Sequence, residues 1–357
     1  MPSSASPQVL LELLGIELPI IQAPMAGVSS PAMAAAVASA GALGSIGIGA
    51  TSAAGARQMM AELRQRSSAP FNVNVFCHQP PKSNPAVEAA WIERLRPEFN
   101  RLGAEPPTVL TEIYKSFVED DDMLAALLAD KPKVVSFHFG APPPDRVQAL
   151  RNADIVLVGS ATSVDEARML VRAGVHAVVA QGYEAGGHRG VFDPDAPDDR
   201  LGTMALTRLL VRQLDVPVIA AGGIMDGAGV SAALRLGAAA AQLGTAFIAC
   251  PESLADAGYR AALASDAARH TVMTRAISGR PARCLSNRFT SVGQVIPVHE
   301  IPAYPVAYDA GKALNAAGKA AGEPGFGAQW AGQGAPLARV LPAANLVATL
   351  AAEMKVT

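Results

Sequence analysis

The chain of 357 residues has few aromatics: they make up 5% of it, against 50% hydrophobic residues in all. Alanine and glycine dominate instead, a composition suited to closely packed helices and strands. Cysteine is scarce too. Cys77, Cys250 and Cys284 are odd in number and form no CxxC pair, which argues against a disulfide framework or a zinc site and for a reducing, cytoplasmic setting. Neither sign of charge is in excess, the formal net charge being −2, so nothing points to nucleic acid or a membrane surface. The opening "MPSSASPQVLLELLG" has no basic region and carries Glu12 within its apolar run, and it reads as a poor signal peptide. A long uncharged stretch, Leu18 to Ala56, is broken by Pro24, Gly27, Pro31, Gly41 and Gly44, whereas a membrane-spanning helix needs about 20 mainly apolar residues in one piece. No GxGxxG follows the first strand, so the dinucleotide fingerprint is missing.

What is present is an alternation of apolar runs and helical patterns. Strands are expected at 19–25, 42–48, 71–78, 134–140, 154–162, 177–182, 216–224 and 240–249. Between them fall a helix at 30–41 opened by Ser-Pro, one at 52–66, and one at 164–173 ending at Gly174. Continuous apolar strands separated by helices imply a parallel sheet covered on both faces, and eight such units imply a (β/α)8 TIM barrel. A doubly wound open sheet is the alternative. Residues 79–133 exceed the repeat and read as polar and helical, with "EDDD" at 119–122 as a helix start. Residues 253–320 hold little strand pattern and are expected to form a small helical lid lobe after strand eight. The barrel then comprises 1–252 and 321–357, with a last helix near 336–354.

In a barrel the active site lies at the C-terminal ends of the strands. His188, in "QGYEAGGHRG" (181–190), follows strand six there. Its glycines pack no core; they let the loop fold closely against a ligand and leave the imidazole exposed to it. Strands seven and eight end in "AAGGI" (220–224) and "QLGTAF" (242–247). Amides of Gly222, Gly223, Gly244 and Thr245 can cradle a phosphate, as loops at these barrel positions often do. Gln22 and the run Ala23, Pro24, Met25 end strand one. Asn72 and Asn74 share one strand face, and buried amides want partners, which the edge of a flavin ring supplies. His138 is expected to face opposite Phe137 and Phe139, either satisfied by a neighbour or lining the site. Cys77 and His78 point apart on a strand, which disfavours a nucleophile pair. "DPDAPDD" (193–199) reads as a turn, since it lacks calcium-ligand spacing.

"QAPMAG" (22–27), "FNVNVFCH" (71–78), "SFHFG" (136–140) and "QGYEAGGHRG" resemble the four motifs of class I nitronate monooxygenases, formerly called nitropropane dioxygenases. "AAGGI", "QLGTAF" and "YPVAYDAGKAL" (304–314) are similar as well. The resemblance spans nearly the whole chain. It implies an FMN-dependent, metal-free barrel enzyme that oxidises alkyl nitronates such as propionate 3-nitronate with dioxygen, to an aldehyde and nitrite or nitrate. Carried onto this sequence, His188 matches the active-site histidine. Asn74, Gln181, Gly186, Gly223 and the run Gln242, Leu243, Gly244, Thr245 match FMN contacts. His138, Tyr304, Tyr308 and Lys312 match pocket residues, with Tyr259 on a less distinctive stretch. Tyr304, Tyr308 and Lys312 recur at spacings of four, so a helix would set them on one face. The alternatives are an NAD(P)H-dependent flavin reductase of quinones or enoyl thioesters on the same barrel, a non-catalytic flavin-binding protein, and a phosphosugar enzyme without flavin. A homodimer is compatible with the sequence.

Overall fold

The computed structural model describes residues 6–356; Met1–Ala5 and Thr357, the two ends of the range expected for the barrel, lie outside the described residues. The strands in chain order are β1 (Ile20–Gln22), β2 (Gly44–Gly47), β3 (Phe71–Phe76), β4 (Val134–His138), β5 (Val156–Ala161), β6 (Ala177–Gln181), β7 (Gly187–His188), β8 (Val218–Ala221), β9 (Ala240–Leu243), β10 (Thr271–Thr274) and β11 (Ala282–Leu285). Eight of them form one parallel sheet in the order β1-β9-β8-β6-β5-β4-β3-β2. The ring closes because Leu43, just before β2, donates to the Ile20 carbonyl at 3.0 Å and accepts from the Gln22 amide at 2.9 Å. This is a TIM barrel, not an open sheet.

The helices form where capping residues permit. Ser163 caps Val164–Ala173 by accepting from the Glu166 amide, and Gly174 ends it at φ +100°. Ser30 and Pro31 open Pro31–Ser39, and Asp120 of the "EDDD" run caps Asp121–Asp130. Apolar side chains fill two layers. Ile46, Val73, Val135, Leu157 and Val178 pack outward against helices through Met60, Leu127, Leu170 and Leu206. Ile21, Val134, Val156, Val179 and Ile219 pack together with Leu10 and Leu14 of the first helix, Pro7–Leu14.

Several strands are shorter than expected, and the backbone says why. β8 stops before Gly222 and Gly223, whose φ values are +125° and +70°. β4 stops at His138 because Phe139 takes φ +71°; the strand alternation is lost there, so Phe139 comes to lie on the same side as His138 and not opposite it, their ring centroids 4.5 Å apart. The lobe after β9 holds helices and also strand structure that the sequence pattern did not suggest: β10, β11 and β7 form a three-stranded antiparallel sheet. The lobe draws on the 79–133 excursion as well. Trp91, Leu95 and Phe99 of helix Pro85–Arg101 share a core with Ile277, Phe289, Leu314 and Phe326. Arg288 of the lobe pairs with Glu98 at 2.7 Å, and Arg101 pairs with Glu323, just past the lobe, at 2.6 Å. No helix among the described residues is long and apolar enough to cross a membrane.

Candidate active site

A cavity of about 370 Å³ lies between the C-terminal ends of the barrel strands and the lobe. Of the residues expected at a cofactor, Ala23, Pro24, Met25, Asn74, Gln181, Gly186, Gly222, Gly223, Gln242, Gly244 and Thr245 all line it. Leu243 does not. Strand alternation turns its side chain into the apolar core with Ile20 and Phe247. His188, His138, Tyr259, Tyr304, Tyr308 and Lys312 line the cavity as well.

The floor is held by side chains that the strands bury. Gln22 accepts from the Ser45 amide at 2.8 Å and donates to Ser29 Oγ at 2.8 Å, which ties the turn after β1 to β2. Asn74 donates to Ser136 Oγ at 2.9 Å, while Asn72, one turn of the pleat deeper, donates to Ser45 Oγ at 3.2 Å and stays off the cavity. Gln181 spans the glycine loop: its amide donates to the His188 carbonyl at 2.9 Å and its carbonyl accepts from the Gly190 amide at 2.7 Å. Arg189 turns back from the cavity to a bidentate pair with Asp198 at 2.9 and 3.0 Å. His188 is itself part of β7, held against Ala282 of β11.

One corner is a cradle of backbone. The amides of Gly222, Gly223 and Gly244 have no hydrogen-bond partner within the described residues, so they are free for a ligand's oxygens. Thr245 Oγ1 accepts from the Gly332 amide at 3.0 Å, which leaves its own proton to donate. Space is tight: a Cβ on Gly186 would lie 2.4 Å from Gly332 N. Unpaired amides in a glycine-lined recess are the features a phosphate requires.

The opposite wall is aromatic. The His188 ring lies 5.1 Å from Trp330, 5.4 Å from Tyr304 and 6.2 Å from Tyr308. Four of the five tyrosines of this aromatic-poor chain, Tyr114, Tyr259, Tyr304 and Tyr308, line this one cavity. Tyr308 and Lys312 lie on helix Val306–Ala320. Tyr304 is outside it, because a residue before proline is pushed out of the helical region; it reaches the cavity from the preceding loop. The Lys312 ammonium sits 4.6 Å over the Tyr114 ring. Tyr259 donates its hydroxyl to the Trp330 carbonyl. The Tyr304 hydroxyl is buried with no hydrogen-bond partner among the described residues.

Burial keeps the histidines and tyrosines of the cavity neutral. It is the first cause that pushes His188 down to about 3, with His138, Arg280 and His78 adding to it. Burial likewise pushes His138 down to about 4, followed by Arg280 and Arg189 against a raising bond to the His188 carbonyl. That bond, 3.2 Å from Nε2 to a carbonyl, puts the His138 proton on Nε2. His138 is therefore both satisfied and at the cavity. Burial pushes Tyr308 up to about 12 and Tyr304 well above the tyrosine range. Burial lowers Lys312, with Asp309 opposing. Cys77 is buried in the layer under the helices, and burial raises its thiol.

Sequence reasoning missed Tyr114, Trp330 and Ser278, and weighed His78 only as a partner of Cys77. Trp330 had a signal: it is one of only two tryptophans and opens the glycine-rich "WAGQG" (330–334). Ser278, whose Oγ is 2.9 Å from His188 Nε2, had none. His78 stands edge-on to Tyr304 at 4.9 Å. No group of His, Cys, Asp and Glu side chains that can hold a metal ion occurs among the described residues.

A parallel barrel with free amides at the ends of its last two strands and side-chain amides on the neighbouring ones defines the class of barrel proteins that hold a phosphate-bearing ligand at the C-terminal mouth. The comparisons give the family. The sequence model described as nitronate monooxygenase matches residues 7–353, and the chain belongs to that family. It is 59% identical to a nitronate monooxygenase of Paraburkholderia phytofirmans, over 99% of this chain and 97% of that one. It is 54% identical to a nitronate monooxygenase of Pseudomonas aeruginosa, over 96% and 98%. A crystal structure of a nitroalkane oxidase from Streptomyces ansochromogenes is similar at a TM-score of 0.88 and 41% identity, covering 97% of this chain and 98% of that one. The protein is a nitronate monooxygenase enzyme, and the cofactor of this family is FMN. The free amides of Gly222, Gly223 and Gly244 and the Thr245 hydroxyl fit its single phosphate.

Proposed function

We propose that the preferred substrates are small alkyl nitronates bearing a carboxylate, propionate 3-nitronate among them, oxidised with dioxygen to a semialdehyde and nitrite or nitrate. The observation that carries this reading is the unpartnered Tyr304 hydroxyl beside a neutral His188 on the cavity wall. A buried hydroxyl without a partner costs about 1–3 kcal/mol, a cost that an oxyanion accepting its proton would remove. Bound FMN supplies the redox chemistry, and the phosphate cradle with Asn74 and Gln181 would hold it. The remaining tasks fall to this chain's side chains. Tyr304 donates to a nitronate oxygen. His188 lies next to it and gives or accepts one hydrogen bond. Lys312, on the rim and over the Tyr114 face, meets the substrate carboxylate.

The low basicity of His188 bears on the protonation state of the substrate. A base whose conjugate acid has a pKa of about 3 is weak toward a C–H proton. The site therefore favours a substrate that has already lost that proton, a nitronate, over the neutral nitroalkane. The test is oxygen consumption by the FMN-loaded enzyme with propionate 3-nitronate, ethyl nitronate and nitroethane. The expected order of kcat/KM is the order given. Equal values for nitroethane and ethyl nitronate would refute the preference for the anion, and equal values for the two nitronates would refute the carboxylate preference.

A further inference from the structure

The turn between β10 and β11 touches two cavity residues, His188 and Tyr304, and the Phe139 ring that packs behind them. Ser278 bonds His188 at 2.9 Å. Gly279 packs so closely that a Cβ would lie 2.6 Å from Tyr304 N. Arg280 lies behind Phe139, its guanidinium carbon 4.3 Å from the ring centroid. The Phe139 ring is in turn 4.5 Å from His138, 5.5 Å from Tyr304 and 5.6 Å from His188.

Arg280 is 4% exposed and yet forms no ion pair among the described residues. Its Nη2 donates to the carbonyls of Val191 and Phe192, and its Nε has no partner. The carboxylates whose charge it feels are Glu166 and Asp193. Both are engaged elsewhere: Glu166 accepts from Thr162 and the Phe192 amide, and Asp193 from the Asp195 amide. A buried cation without a counter-charge is costly, and two carbonyls and a phenyl face do not require one. Its positive charge is left to act on the cavity. There, it adds to burial in holding His188, His138 and His78 neutral.

We infer that Arg280 is a specificity-determining residue: its charge, acting across Phe139 without touching substrate, makes the site select a nitronate anion over the neutral nitroalkane. The inference rests on the reading of this cavity as the nitronate site. Across the Phe139 ring, at a separation of about 10–12 Å and an effective protein dielectric constant of about 20, a unit charge is worth about tenfold in affinity for a monoanion. Lys312, the other cation, is exposed at the rim, where salt screens it; Arg280 is shielded from salt.

Two probes test this on the FMN-loaded enzyme without turnover. Nitrate is a planar anion, and nitroethane at pH 6 under anaerobic conditions is neutral; flavin absorbance follows the binding of each. Arg280→Gln should weaken nitrate about tenfold at both low and high salt and leave nitroethane within about twofold. Arg280→Lys, which keeps the charge but not the stacking, should hold nitrate within about threefold. Lys312→Met should weaken nitrate only at low salt. Equal losses for both probes in Arg280→Gln would overturn the inference, as would a nitrate loss in Arg280→Lys as large as in Arg280→Gln. If Arg280→Gln does not retain FMN, Arg280→Lys decides alone: retained nitrate affinity supports the charge, lost affinity refutes it. Failure of the wild-type enzyme to oxidise any nitronate would instead defeat the functional reading, because the binding comparison does not depend on turnover.

Discussion

Two side chains on the cavity wall have separable tasks. His188 is neutral across the physiological range, so it serves the anion as a hydrogen-bonding group and the neutral nitroalkane only as a weak base. General-base assistance is typically worth about 10²–10⁴ in rate. For so weak a base we expect the low end: His188→Asn should retain FMN, lose turnover of nitroethane by about 10²-fold at most, and lose turnover of preformed ethyl nitronate by less; paired steady-state kinetics on the two forms check it. Equal losses would restrict His188 to binding. Lys312 poses a different question. A charge-assisted hydrogen bond is worth roughly 1.5–3 kcal/mol, about one to two decades. Lys312→Met should lower kcat/KM for propionate 3-nitronate by about that factor and spare ethyl nitronate. Identical fold-losses at matched FMN content would mean that the lysine does not read the substrate carboxylate.

At the scale of elements, the segment 330–334 matters as much as the barrel loops. Gly332 bonds Thr245 and packs on Gly186. Gly186→Ala would press a methyl to 2.4 Å from Gly332 N, and overpacking of this kind typically costs about 1–3 kcal/mol. The expected result is FMN affinity at least about tenfold weaker, with a modest fall in melting temperature; titration of the apoprotein with FMN measures the first. Unchanged affinity would remove this segment from the cradle. The barrel was legible in the sequence because each strand and cap is announced locally: apolar runs, Ser30, Asp120, Ser163 and Gly174. The glycine-bearing strand ends, the loop that carries His188 and the helix that carries Tyr308 and Lys312 were legible for the same reason, whereas the position of Tyr304 was not, since Pro305 follows it and the helix begins only at Val306. Phe139 was misjudged because the positive φ that breaks strand alternation falls on Phe139 itself, one residue before the glycine that announces a turn. β10 and β11 were missed because their burial comes from partners far away in the chain. Ser278 and Arg280 escaped for the same cause: they meet His188 and Phe139 only through a turn that the fold brings back some 90 and 140 residues later.

The whole molecule carries a pH dependence that follows from these buried rings. His78, fully buried, is pushed down to about 4, chiefly by burial and then by the Arg280 charge, against a raising contact with the Tyr114 backbone. The unfolded chain takes up its proton near pH 6.5 and the native one does not, so the unfolded state binds more protons between about pH 6.5 and 4. Stability therefore falls as pH falls through that window, by about 1.4 kcal/mol per pH unit for each such histidine. His138 and His188 act in the same direction. Melting temperatures from pH 7 to 4.5 should decline steeply in the wild type and less steeply in His78→Phe; parallel curves would mean that His78 is protonated in the native state. The central claim, that this molecule oxidises nitronates on FMN, is tested most directly by anaerobic mixing of the FMN-loaded enzyme with propionate 3-nitronate or, separately, with NADH. The account predicts that the nitronate changes the flavin absorbance within the time of turnover and that NADH leaves it oxidised. Reduction by NADH with no response to the nitronate would contradict it and identify a reductase on the same barrel.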